Sequence, residues 1–246
     1  MNEFRITADS RITVIGDSLA AGRGSSDCSF DGNFIVKFEG RKYYAQTGKK
    51  CWVGVLKEYL ENKYPGCRVI NNGCNGINSH HVSKYIKSIT YEDDTFVMLM
   101  IGTNNRKLPM GMNLLENDLH RVIGNLRERE LDILLIGPTP STPANENRGD
   151  RKFHMRDVDE KLKYVAAREK VRYLSLYDHF NDYIQENNIS LEEFLRPQKE
   201  IEENYSFPEN EEEYTVNDWN RVPDGLHPPD SVHRMIAEYI ISELKL

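Results

Sequence analysis

The sequence predicts an α/β fold, a three-layer α/β/α sandwich built on a five-stranded parallel sheet. Two observations predict it. Five short apolar runs, each closed by turn residues, read as strands buried on both faces. Between them lie stretches with apolar residues at helical spacing, so strand and helix alternate as right-handed crossovers require.

The strands in order are ITVIG from Ile12, RVIN from Arg68, FVMLMIG from Phe96, DILLIGP from Asp132 and VRYLSLY from Val171. After the first comes a helix with Trp52, Val55, Leu56, Tyr59 and Leu60 on one stripe. Val82, Ile86 and Ile89 mark the next, Leu115, Leu119, Val122 and Leu126 a third, and Met155, Val158, Leu162 and Val165 a fourth. Val232, Ile236, Tyr239, Ile240 and Leu244 form the last.

Two segments break the rhythm. Residues 23–48 alternate at Phe34, Val36 and Phe38 before Gly40, which reads as an inserted β-hairpin. Residues 181–222 form a second insertion, with a short helix at SLEEFLRP opened by Ser190 and Glu193, then the acidic run EIEENYSFPENEEEY, read as a solvated loop. No repeat or low-complexity linker divides the chain, so residues 1–246 are expected to form a single domain.

The net charge of −7 provides no basic footprint for nucleic acid or an anionic membrane surface. No segment reaches the roughly 18 apolar residues of a membrane span, and MNEFRITADSRITVIG lacks the pattern of an export signal, so a cytoplasmic protein is expected. Cys28, Cys51, Cys67 and Cys74 show no metal-ligand spacing and are expected as free thiols. No cofactor or metal constellation stands out.

The chemistry sits at strand ends. Asp17 and Ser18 follow the first strand, where open α/β sheets hold their ligands. On its own, Ser18 reads first as a turn residue; a nucleophile needs a base and a group to orient that base. DGLHPPD supplies both, because Asp224 and His227 lie three apart across Gly225, with Pro228 and Pro229 leading into the last helix. The other histidines, His80, His81, His120, His154, His179 and His233, have no such setting and read as surface or packing residues. INNGCNG after the second strand offers the backbone N–H of Gly73, and MIGTNN after the third offers the amide of Asn104. Each is alone a common turn element, but a parallel sheet brings these strand ends to one edge.

The ordered set GDSL, the glycine of NNGCNG, GTNN and DGLHP resembles the signature blocks of the GDSL, or SGNH, hydrolase superfamily, from Gly16 to His227. The resemblance implies a flavodoxin-like domain with Ser18 as nucleophile, His227 as base, Asp224 orienting it, and an oxyanion hole of the Ser18 and Gly73 N–H groups with the Asn104 side chain. The family's third block usually reads GxND, and here Asn105 stands in place of the acid.

An α/β-hydrolase elbow fits less well: residue 20 is Ala, no strands precede the serine to build that sheet, and the acid lies only three residues from the histidine. GDSLAAGRGSS also lacks the GK[ST] of a P-loop. The expected activity is hydrolysis of a carboxylic ester through an acyl-enzyme, on a small-molecule or carbohydrate ester with a short acyl group such as acetyl. An acyltransferase, a lipase or thioesterase, and a non-catalytic carbohydrate-binding protein on the same fold are the alternatives. Phe34, Phe38, Tyr43 and Tyr44 in the hairpin, and Tyr205, Phe207, Tyr214 and Trp219 in the later insertion, read either as walls of a substrate cleft or as packing.

Overall fold

The structure is a computed structural model that describes residues 6–30 and 32–246. Residues 1–5, part of the stretch read for an export signal, and residue 31, within the first insertion, lie outside the described residues.

Strand β1 (Arg11–Gly16) runs into the short helix α1 (Ser18–Ala21). Strands β2 (Phe34–Phe38) and β3 (Arg41–Tyr44) pair antiparallel as the expected hairpin. Then follow α2 (Trp52–Lys63), β4 (Arg68–Gly73), α3 (Ser79–Tyr85), β5 (Phe96–Met100) and α4 (Gly111–Arg127). Strand β6 (Asp132–Ile136) leads through α5 (Pro143–Glu146) and α6 (Met155–Glu169) to β7 (Arg172–Leu174). The chain closes with α7 (Leu176–Glu186), α8 (Leu191–Leu195), α9 (Gln198–Asn204), α10 (Val216–Arg221) and α11 (Asp230–Leu244).

The main sheet has the order β4-β1-β5-β6-β7, all parallel. This is the flavodoxin-type order, whose switch point lies between β1 and β5. Alternate residues of each strand enter opposite cores. Phe96, Met98, Leu134 and Ile136 pack with Trp52, Leu56, Phe180, Ile236 and Ile240. Val97, Leu99, Ile133 and Leu135 pack with Val82, Leu115, Leu119, Val158 and Leu162. The layers are therefore α2, α7 and α11 on one face and α3, α4 and α6 on the other.

Several boundaries differ from the sequence expectation. The fifth strand stops at Leu174, because the Ser175 side chain accepts from the Asp178 N–H at 3.0 Å and caps α7. The same helix runs through residue 181, so the second insertion begins only after Glu186. Strand β4 continues through Asn71 and Asn72 to Gly73, because β1 pairs with it along its whole length, Gly16 opposite Gly73. The acidic run, expected as a loop, includes α9 and a 3₁₀ turn at Glu211–Glu213. All four cysteines are free and buried, and burial raises the thiols, Cys51 to about 11 and Cys74 to about 12. Among the described residues no helix is long and apolar enough to cross a membrane.

Candidate active site

Ser18 stands at the carboxyl end of β1, flanked by β4 and β5. Gly16 is required there: a Cβ would lie 1.8 Å from the Met100 carbonyl oxygen on β5. Asp17 is fully buried; its Oδ1 accepts from the Leu19 N–H at 3.1 Å and its Oδ2 from the Thr103 N–H at 3.1 Å. Its carboxyl thus joins the serine turn to the segment after β5. Burial pushes its pKa up to about 6 against those hydrogen bonds.

The structure brings His227 to this turn from more than two hundred residues away. His227 Nε2 lies 2.9 Å from Ser18 Oγ, with the two side chains only 4% and 5% exposed. On the other side of the ring, Nδ1 lies 3.0 Å from both carboxylate oxygens of Asp224. Asp224 Oδ1 also accepts from the backbone N–H of Leu226 at 3.1 Å and of His227 at 2.9 Å, so one carboxylate shapes the loop and orients the ring. Burial lowers His227 below its ordinary value although Asp224 opposes it, which keeps the imidazole neutral and able to accept a proton. Burial alone would raise Asp224, but the facing His227 and the two N–H groups hold it well below the usual carboxylate range.

Asn104 follows β5, and its Nδ2 donates to the Ile77 carbonyl at 2.8 Å, which fixes the amide and leaves its second hydrogen unused. Gly73 is placed differently from the sequence expectation. Its N–H donates to Asn71 Oδ1 at 2.9 Å, and a Cβ there would meet the Ala21 backbone nitrogen at 2.3 Å. Gly73 thus closes β4 against α1, with its donor already engaged. Gly76, three residues on and next to the Ile77 that anchors Asn104, has φ +81° and open space where a Cβ would project. Among the described residues, the backbone N–H groups of Ser18 and Gly76 carry no hydrogen bond. A second glycine in the same NNGCNG block was the available signal, and choosing between the two required knowing where β4 ends.

Asn105 is fully buried; its Oδ1 accepts from the Ser79 N–H at 3.0 Å, and its Nδ2 donates to Ser79 Oγ at 2.8 Å and to the Gly111 carbonyl at 3.2 Å. Ser79 Oγ in turn donates to Asp118 Oδ2 at 2.8 Å. A carboxylate at position 105 would face the Gly111 carbonyl acceptor to acceptor, so the amide suits this setting better than the usual acid.

Two segments flank the serine. The Thr142 N–H donates to the Gly225 carbonyl and the Lys152 N–H to the Arg106 carbonyl, so residues 142–152 are tied to the His227 loop and to the segment after β5. In the second segment the Gly24 N–H donates to the Asn220 carbonyl, and Tyr205 Oη donates to the Gly24 carbonyl while accepting from the Asp230 N–H. The aromatics of the later insertion stack on one another from Tyr205 through Phe207 and Tyr214 to Trp219, which remains 43% exposed. In the hairpin, Phe38 is buried against Tyr43, His81 and Tyr85, whereas Phe34 and Tyr44 face solvent. Packing and exposure therefore divide both aromatic sets.

The other histidines have ordinary partners. His120 pairs with Glu169, His154 with Glu146, and His179 stacks on Tyr239. His233 is fully buried with Nε2 3.2 Å from the Arg23 carbonyl, and burial pushes its pKa down to about 4. Among the described residues no group of His, Cys, Asp and Glu is arranged to hold a metal. A cavity of about 910 Å³ opens between α2, the outer edge of β4 and the base of the hairpin, but Ser18, Asn104 and His227 do not line it.

The fold has solved counterparts. A catalytic mutant of Axe2, an acetylxylan esterase from Geobacillus stearothermophilus, is similar at 17% identity and a TM-score of 0.67, over 99% of this chain and 97% of that one. LAE5, described as an alpha/beta hydrolase enzyme from the metagenome of Lake Arreo in Spain, is similar at 18% identity, with coverage of 98% and 97% and a TM-score of 0.64. The acetyl xylan esterase AlAXEase is similar at 16% identity, with coverage of 95% and 98% and a TM-score of 0.62. At such identities the likeness concerns the fold. No curated protein matches the chain. The sequence model of the GDSL-like lipase/acylhydrolase family matches residues 14–197, most of the chain, from within β1 to the turn after α8. That span takes in the serine turn and the Asn104 segment and stops before Asp224, and on it this chain belongs to the GDSL-like lipase/acylhydrolase family, as a carboxylic ester hydrolase.

Proposed function

We propose that the protein hydrolyses short-chain, chiefly acetyl, esters of saccharides through an acyl-enzyme on Ser18. The observation that carries this reading is the array from Asp224 through His227 to Ser18 Oγ, at 3.0 and 2.9 Å. His227 takes the serine proton as Oγ attacks the ester carbonyl, and Asp224 stabilises the imidazolium that forms. The negative charge on the carbonyl oxygen is received by the Ser18 N–H, the second Asn104 hydrogen and the N–H of Gly76, in place of that of Gly73. The alcohol leaves with the proton from His227; water, activated by the same ring, then releases the acid. Residues 1–246 act in this reading as one catalytic domain carrying two insertions.

The acetyl and saccharide part rests on the acetylxylan esterases that share the fold. The chemistry is tested by intact mass after exposure to a fluorophosphonate. One adduct on the wild type, absent from Ser18→Ala and His227→Ala, is the expected result; no adduct on the folded wild type overturns it. A panel of acetyl, butyryl and long-chain esters then reads the acyl preference.

A further inference from the structure

We propose that the cavity between β3 and the β4–α3 loop is a saccharide subsite, taking the sugar ring next to the one whose ester meets Ser18. This inference rests on the proposed function for its place in the reaction, but its binding test does not. The cavity has a volume of about 190 Å³ and is lined by Phe30, Arg41, Lys42, Tyr43, Tyr44 and Asn75. Tyr44 is 39% exposed, with Phe34 set edge-on to it at 5.9 Å. It offers an aromatic surface to the C–H face of a pyranose ring.

The polar side of the site is the amide of Asn75, held from behind by Asn220. Asn75 Nδ2 donates to Asn220 Oδ1 at 2.9 Å, which leaves Asn75 Oδ1 and Asn220 Nδ2 both buried without a hydrogen-bond partner. Asn220 is only 4% exposed. Folded proteins rarely leave such groups unmade, and Asn75 lines the cavity, so its free acceptor calls for a partner there. A sugar hydroxyl can supply it by donating to Asn75 Oδ1. Arg41 and Lys42 form no ion pair among the described residues and add donors along the same wall.

The position suits an ester on a chain of sugars. Asn75 precedes Gly76, and the Asn220 carbonyl accepts from the Gly24 N–H at 2.8 Å, so the amide pair bridges the oxyanion loop and the segment that follows the serine. A ring held by Asn75 and Tyr44 lies next to the loop that carries Gly76, the proposed oxyanion donor.

The test is titration of the full chain with unacylated xylotriose, followed by NMR. Saturable binding is expected, weakened about threefold to tenfold by Tyr44→Ala and by Asn75→Ala, the range an aromatic contact supplies. Lys37→Ala, on the same hairpin but outside the cavity, should bind as the wild type does. On acetylated xylotriose, Tyr44→Ala should raise KM and leave kcat near the wild-type value, a split that a merely structural role would not produce. Tyr44 is exposed, so that variant serves even where Asn75→Ala fails to fold. Absence of saturable binding, or equal binding by Tyr44→Ala and the wild type, overturns the subsite. Failure of the esterase reading shows separately, as loss of the fluorophosphonate adduct and of aryl acetate hydrolysis with xylotriose binding intact.

Discussion

The serine turn and the hairpin are neighbours in sequence, and they are built in opposite ways. At Gly16 the chain is paired on both sides, to Gly73 and to Met100, and the Asp17 carboxylate is fully enclosed. The hairpin is a two-stranded sheet whose buried residues are Val36 and Phe38, whose Phe34 is 55% exposed, and whose Lys37 lies directly opposite Lys42. The groups proposed to react thus stand on backbone that cannot shift without breaking the main sheet, whereas the hairpin can be altered at little cost to folding. In the proposed reading, reactivity belongs to the first region and sugar selection to the second.

The sharpest way to break this division is Ser18→Ala, expected to lower kcat by about 10⁶ at unchanged thermal midpoint, since a nucleophile and its base act as a unit. A hydrolysis rate within tenfold of wild type would remove Ser18 from the reaction. Asn104→Ala should cost about 10² to 10³ in kcat with little change in KM, the worth of one preorganised donor. An effect confined to KM would place Asn104 with binding instead.

The pH profile sharpens the same side. His227 must be neutral to accept the proton, and its pKa is lowered from 6.5 by burial. Activity, measured as kcat/KM, should therefore fall in acid solution with a midpoint below 6.5; a midpoint above 6.5 contradicts the burial argument.

Smaller effects separate packing from chemistry. Asn105→Asp sets a carboxylate against the Gly111 carbonyl and removes the donor to Ser79 Oγ, and should lower the unfolding free energy by about 1 to 3 kcal/mol in a denaturant titration. Lys37→Glu turns the like-charged cross-strand pair into an opposite one and should stabilise the hairpin by about 0.2 to 1 kcal/mol. Hydrogen exchange of residues 34–44 would read that gain, and equal exchange rates would show that the lysines are too solvated to interact.

GTNN looked like a departure at Asn105, yet the structure places that residue in a fully bonded network behind Asn104. In NNGCNG the two glycines differ in nothing local. What separates them is that β4 runs on through two asparagines to Gly73, whose N–H is taken by Asn71.

By itself the sequence determined the layered fold, because a strand buried on both faces and a helix with one apolar stripe each write their period into the chain. It also marked Ser18, Asn104, Asp224 and His227, since the residue types that acyl transfer needs stand at strand ends or within one short loop. Only the tertiary structure decided which glycine amide is free, where the fifth strand stops, which aromatics are packed and which face solvent, and that Asn75 and Asn220 meet. Those outcomes depend on which donors and surfaces other parts of the chain have already occupied, and occupancy is a property of the folded whole that no local pattern records.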